Sequence, residues 1–311
     1  MNNTKFDIDY VFPYVNPTDK DWQEKYSYFS SCSESANQSA RFRDFSLLKF
    51  IFRSIETYAP FIKNVFILVA TENQIPSWVN KGCSKLKIIT HDQFIPEKYL
   101  PTFNSNTIET FTPFIPGLSE HFIYGNDDII FRRKSEASDF FYSGQIIKFA
   151  YTYRQNKFPR DFQFVCQKTW QIVNELFPKV KIDNKDYTYI KQFHGSASPR
   201  LLSDCKECYN KLEPKLLKNL TQFRSNSRNV NQYIYGYISI FLGHVLKIEN
   251  EIIGNYLSID DLKVDKLIKE LNNTKSKMVC INDTASMTQN DIDQIYKALN
   301  ILFPNKSSFE N

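Results

Sequence analysis

Phe122-Ile-Tyr-Gly-Asn-Asp-Asp-Ile-Ile-Phe131 is an apolar run with a polar centre. The flanks predict a buried strand over 122–131, split at Asn126-Asp127-Asp128. Two adjacent carboxylates at the end of an apolar strand are costly to bury unless a cation or an open cleft offsets them. In open α/β sheets, ligands bind at the carboxyl ends of strands. An acidic pair at that place can hold magnesium or manganese against a diphosphate. The same tripeptide also reads as a surface turn opened by Asn-Asp.

Upstream, strand and helix patterns alternate. Asp7–Val15 reads as a first strand and Asp19–Phe29 as a helix. A small-residue polar loop spans 30–40. Leu47, Leu48, Ile51 and Ile55 then fall on one face at 3.6 spacing in a helix that Asp44 can cap. Asn64–Ala70 and Leu86–Thr90 are strand-like, and Thr107–Ile115 is a short helix interrupted by Pro113. This alternation predicts an α/β fold with a doubly wound, mostly parallel, Rossmann-like sheet. The expected divisions are an α/β core over 1–135, a mainly helical region over 136–275, and a C-terminal strand and helix over 276–311 that return to the core. Ile234–Ile248 reads as a helix or a strand pair, Asp260–Leu271 as an amphipathic helix, and Gln289–Leu302 as a last helix capped near Thr288.

Composition narrows the chemistry. Hydrophobic residues make up 42% and charged residues 23%, a globular balance. With eight glycines there is neither GxGxxG nor GxxxxGK[ST], so side chains, a metal or a helix N-terminus must hold any phosphate. A net charge of +5 suits an anionic substrate or an acidic membrane face, and is too weak to argue for nucleic acid. No stretch is long enough to span a bilayer. The opening MNNTKFDIDY lacks an apolar signal core, so the expected location is the cytosol. Cys205 and Cys208 form a lone CxxC without a second ligand pair, which favours reduced thiols in a helix over zinc.

Other candidates are plain when taken singly. Arg41 and Arg43 beside Asp44 suit an anion at a helix start, or form an exposed basic turn. Asn104, Ser105 and Glu109 either face a cleft or form a capping box. His194, Arg224 and Asn282-Asp283 carry no strong local signal.

In order along the chain, these residues resemble the Stealth family, which is described by four conserved regions. The first resembles Ile8-Asp9-Tyr10-Val11 through Tyr14-Val15-Asn16, with Asp19 and Trp22 after it. The second includes Arg41-Phe42-Arg43-Asp44, Arg53-Ser54-Ile55-Glu56, Gln74-Ile75-Pro76-Ser77-Trp78, Leu100 to Ser105, Ile108-Glu109, Ile115 to Tyr124 and Asn126-Asp127-Asp128. The third is carried by His194 and Phe223-Arg224-Ser225, the fourth by Cys280-Ile281-Asn282-Asp283. Gly125 departs from the family pattern, which favours an apolar residue there.

The resemblance implies transfer of a hexose-1-phosphate from a UDP-sugar to a sugar hydroxyl, with release of UMP, in capsule or exopolysaccharide synthesis. It implies a divalent metal held by Asp127, Asp128 and Asp283. It implies phosphate contacts from Arg41, Arg43 and Arg224, and nucleotide or sugar contacts from Asp9, Asn16, Asp44, Asn104 and Asn282. Catalysis is expected from His194, Arg224, Asp128 and Glu109, with His194 the first choice of general base and Glu109 the second. The expected acceptor is a lipid-linked or polymeric saccharide, with peripheral association at the inner membrane face. The rival is a metal-dependent glycosyltransferase that releases UDP. A third reading is a sugar-binding module.

Overall fold

A computed structural model of the chain describes residues 6–30, 47–154, 162–176, 189–192, 197–248, 254–258, 263–273, 275–283 and 286–311. Strand β1 (Ile8–Pro13) is buried along most of its length and leads into α1 (Lys20–Phe29). Asp19 caps α1 by accepting from Asp21 N at 3.1 Å. Helix α2 (Leu47–Tyr58) follows, then β2 (Val65–Val69) and β3 (Leu86–Thr90). The short α3 (Ser105–Thr110) stops where Pro113 enters a 3-10 turn, and β4 (His121–Tyr124) and β5 (Ile129–Phe131) flank the acidic tripeptide. Next come α4 (Ala137–Phe140), β6 (Phe141–Ser143), β7 (Ile146–Arg154), α5 (Phe162–Asn174), β8 (Tyr189–Gln192) and β9 (Ser198–Leu201). Helices α6 (Leu202–Lys218) and α7 (Tyr233–Phe241), strands β10 (Val245–Ile248) and β11 (Gly254–Ser258), helix α8 (Val264–Asn273), strand β12 (Met278–Asn282) and helix α9 (Gln289–Leu302) complete the order.

The main sheet has the order β3-β2-β1-β4-β9. Its first four strands are parallel and β9 is antiparallel to β4. The reversal in order between β1 and β4 makes a switch point, where carboxyl ends open a crevice. This is the expected Rossmann-like α/β fold.

Two expectations change. The run 122–131 is two strands in different sheets, since β5 leaves the main sheet to pair antiparallel with β12. Strands β6 through β11 are interspersed with the helices of region 136–275, and β9 closes the main sheet at its edge. Pro199 obscured β9 in the sequence, yet proline is compatible with an edge strand because one side needs no ladder donor. Ile234–Ile248 resolves into α7 followed by β10.

Two polar side chains of α2 fix the frame around the site. Arg53 donates from Nε and Nη2 to the two carboxylate oxygens of Glu310 at 2.8 and 2.7 Å, and from Nη1 to Phe303 O at 2.7 Å. The Ser54 hydroxyl accepts from Phe131 N at 3.0 Å, which ties β5 to the helix. Cys205 and Cys208 are buried free thiols on α6. Among the described residues no helix is long and apolar enough to cross a membrane.

Candidate active site

Beyond the carboxyl end of β4 the chain gathers side chains from four stretches. Tyr124 ends the strand, and Asp127 and Asp128 follow it, half-buried. Strand β12 returns alongside: Ile281 N donates to Asp128 O at 2.8 Å, and the Cys280 thiol donates to Asp128 Oδ2 at 3.2 Å. The antiparallel register pairs Cys280 with Ile129. Continued outward, it carries Asn282 and Asp283 toward the Asn126–Asp128 loop. Residues from opposite ends of the sequence thus share one rim.

Arg224 comes from the segment between α6 and α7. Its Nη2 donates to Ser105 Oγ at 2.9 Å. Glu109, Asp127, Tyr124 and Asp128 all act on its charge, while burial holds its pKa below the ordinary arginine value. Glu109 is buried on α3 and accepts from Gln232 N at 3.1 Å. Burial pushes its carboxyl up to about 7, against the pull of Arg224, the Gln232 amide, Arg200 and Ser105. A carboxyl so placed can exchange protons near neutral pH.

The Arg224 segment is fixed to the Glu109 segment by a buried amide network. Asn104 is fully buried; its Nδ2 lies 3.0 Å from Thr221 O and from Asn229 Oδ1, and its Oδ1 accepts from Asn106 N at 3.1 Å. Asn229, also buried, accepts from Ser225 N at 2.7 Å and donates to Asn219 O at 3.0 Å. Thr107 Oγ1 donates to Thr221 O at 2.8 Å, and Phe103 N to Gln222 O at 2.8 Å.

Several expected roles are corrected. Asn104 faces protein rather than substrate, because a buried amide satisfies its hydrogen bonds internally. It is the N-cap of α3, and Glu109 turns to Gln232 instead of closing a capping box. Asp9 lies near the amino end of β1, not the carboxyl end. It is fully buried and accepts from Asn64 Nδ2 and Ser119 N, both at 2.8 Å. Asn16 does follow the carboxyl end of β1, where its Oδ1 accepts from Thr18 N at 3.0 Å and Thr18 Oγ1 at 2.7 Å. Among the described residues no group of three histidine, cysteine or acidic side chains is gathered closely enough to hold a metal ion. Arg41, Arg43, Asp44 and His194 lie outside the described residues.

Two adjacent carboxylates suit a hard cation whose shell is completed by substrate phosphate and water. In that arrangement Asp127 and Asp128 would hold it.

Sequence reading missed Tyr10, Tyr124, Arg200 and Asn229. The phenol of Tyr10 packs behind the acidic loop; burial and the nearby Asp128, Cys280 and Asp127 raise its pKa. A Cβ on Gly125 would lie 2.1 Å from Tyr10 Oη, so the unusual glycine is matched to the tyrosine. Arg200 is fully buried, donates to Gln232 Oε1 at 2.6 Å and lies over the Phe149 ring. No local pattern marks these residues, because Asp128 and Cys280 beside Tyr10, Gln232 beside Arg200 and Asn104 beside Asn229 are distant in sequence.

Comparison with known proteins follows the same residues. The model of Stealth protein conserved region 2 matches residues 41–149. An exopolysaccharide phosphotransferase of Lactiplantibacillus plantarum, cps2G, is 30% identical over 332 residues, covering 98% of this chain and 96% of that protein. The capsular polysaccharide phosphotransferase WcwK of Streptococcus pneumoniae is 28% identical, with 97% and 98% covered. SacB of Neisseria meningitidis serogroup A, a capsular polysaccharide phosphotransferase, is 32% identical across 98% of this chain and 57% of its own length.

Proposed function

The chain belongs to the Stealth family and is a transferase, and on that premise we propose that it moves hexose-1-phosphate, or N-acetylhexosamine-1-phosphate, from a UDP-sugar to a sugar hydroxyl in capsular or exopolysaccharide synthesis. The observation that carries this reading is the Arg224 guanidinium, set among Glu109, Asp127 and Asp128 at the carboxyl end of β4. Its planar donors can grip two oxygens of one phosphate, which lysine does not match.

The acceptor oxygen bonds to the phosphorus nearer the sugar, the bond from that phosphorus to the UMP oxygen breaks, and UMP leaves with the electron pair. Arg224 binds phosphate oxygens as charge develops on them. Ser105 holds its guanidinium in place. Glu109, raised to about 7, takes the hydroxyl proton. His194 is the competing proton acceptor, since imidazole titrates near neutral pH. A magnesium or manganese ion on Asp127 and Asp128 would neutralise the diphosphate and the departing phosphate. Arg41 and Arg43 supply further cations for the donor, with Asp44, Asn16 and Asn282 at its sugar or nucleotide. The acceptor on this reading is a lipid-linked or polymeric saccharide presented at the inner membrane face.

A panel of UDP-sugars incubated with enzyme and acceptor tests the proposal. UMP and a phosphodiester are expected. UDP as the sole nucleotide product would replace this reading with that of a glycosyltransferase.

A further inference from the structure

A cavity of about 570 Å³ opens on the same sheet, and none of Glu109, Asp127, Asp128 and Arg224 lines it. It lies at the carboxyl ends of β2 and β3: Ala70 and Thr71 follow β2, while Thr90 and His91 end β3 and begin the turn after it. Helix α1 forms one wall and the segment before α3 another. We propose that this cavity binds the nucleoside half of the donor, with the diphosphate running from it across β1 to Asp127, Asp128 and Arg224. This assignment rests on the donor being a nucleotide-sugar.

Four observations support it. The first is distance. In the order β3-β2-β1-β4 the cavity stands two to three strands from the acidic pair. Strands lie about 4.8 Å apart, which makes the span roughly 10–14 Å. That is the scale on which a nucleoside diphosphate separates its base from its outer phosphate.

The second is charge. Asp19, Asp21, Glu72, Asp92 and Glu97 line the cavity against Lys25. Phosphate is disfavoured here by like charge, whereas a neutral base and a ribose diol are not. Carboxylates accept from ribose hydroxyls readily.

The third is shape. Trp22, Phe29 and Phe103 line the same space, and Trp22 and Phe103 meet edge to face at 5.7 Å. Flat apolar faces beside hydrogen-bonding groups are what a heterocycle requires.

The fourth is a pair of polar atoms. Among the described residues His91 Nε2 and Thr71 Oγ1 are buried and have no hydrogen-bond partner, and both residues line the cavity. His91 is 7% exposed. Burial lowers its pKa to about 4, so it stays neutral near pH 7, with one ring nitrogen donating and the other accepting. Side chains of this kind read the edge of a base, and native proteins rarely leave such atoms without a use.

Tryptophan emission gives a direct test, because Trp22 lines the cavity and the chain's other two tryptophans, Trp78 and Trp170, do not. Uridine, which has no phosphate, should quench the full-length protein saturably, and Trp22→Phe should abolish the response. Thr71→Val removes one hydroxyl at nearly constant shape. It should raise the donor KM roughly tenfold, the scale of one hydrogen bond, with kcat and acceptor KM within about twofold. The assignment is overturned if uridine, cytidine, adenosine and guanosine all leave Trp22 emission unchanged. It is also overturned if Thr71→Val raises the acceptor KM and spares the donor's. The two readings fail separately: nucleoside quenching with UDP as product keeps the cavity and removes the phosphodiester, while UMP release with silent nucleosides does the reverse.

Discussion

Beyond β2 and β3 the carboxyl edge carries a wide, aromatic, acid-lined cavity; beyond β4 it carries a tight cluster of Glu109, Asp127, Asp128 and Arg224. The two places share one sheet and differ in how they treat charge. In the cavity the charged residues lie at an open space where water screens them. In the cluster burial shifts Glu109 and Arg224 from their ordinary values, so each charge acts strongly on its neighbours. A donor with a neutral end and a doubly charged end fits that gradient in one orientation. Breaking the comparison means showing that substitutions in the cluster and in the cavity act alike.

The largest effect is expected at the acidic pair. Asp127→Asn or Asp128→Asn should remove measurable turnover with little change in Tm, and excess chelator should do the same to the unaltered enzyme. Full activity in chelator would overturn the metal assignment. Arg224→Lys should follow, lowering kcat by roughly a hundredfold, as for loss of an oxyanion donor. Near-normal kcat there would place phosphate elsewhere.

Proton transfer comes next. With Glu109 raised to about 7, activity should fall as pH drops through that value. Glu109→Gln should lose activity and remove the limb if Glu109 is the base. If His194 is the base, His194→Ala does so instead, at a cost of roughly a hundredfold in kcat. Linkage gives an independent sign. The folded carboxyl holds its proton to higher pH than the unfolded one, so between the ordinary glutamate value and about 7 the native state binds more protons. Stability should therefore decline as pH rises through that window. Glu109→Gln should flatten the decline, measured as Tm against pH.

How far the sequence reached differs between the two places as well. Strands β1 to β4 were legible because each is a short apolar run set between helical or turn signals, and α9 was legible to its Thr288 cap. The acidic pair was legible because adjacent carboxylates interrupt an apolar run. The partner strand of β5 was not, since Ile129 pairs with Cys280 some 150 positions away and no local pattern encodes that choice. The setting of Asp9 was not legible either, because its carboxylate binds the turns before β2 and β4, which are distant in sequence. The cavity was invisible because it is built from the ends of three elements. His121, away from it, stacks on Phe6 with ring centroids 3.7 Å apart and bonds to Gly144 O.

Smaller effects probe what holds the cluster. Asn229→Ala should lower kcat by about tenfold by loosening the Arg224 segment, because the lost amide leaves Ser225 N and Asn219 O without that partner. If Asn229 works through Arg224, the kcat loss should largely vanish in an Arg224→Lys background, while the drop in Tm stays the same. Equal kcat losses in both backgrounds would make Asn229 a general stabiliser only. Gly125→Ala belongs to the same class: the added Cβ would press on Tyr10 Oη and Cζ, at 2.1 and 2.5 Å. Overpacking of this kind costs about 1–3 kcal/mol.

The smallest effect should come from the acids of the cavity, and it is the one that separates the two places most cleanly. Glu72→Gln removes one charge from an exposed residue of the lining. An exposed charge interacts weakly and is screened by salt, so the donor KM should change by less than about threefold. The sign follows from the diphosphate: removing a negative charge near its path should lower the donor KM. The gain should shrink as ionic strength rises from about 0.01 to 0.15 M, where the screening length falls from about 30 to 8 Å. Arg224→Lys, by contrast, should lose the same fraction of kcat at both salt concentrations, because its partners Glu109 and Ser105 sit in the protein and not across solvent. A Glu72→Gln effect that is large and independent of salt would mean that the cavity is a second buried charge site, and the division of the donor between the two places would be lost.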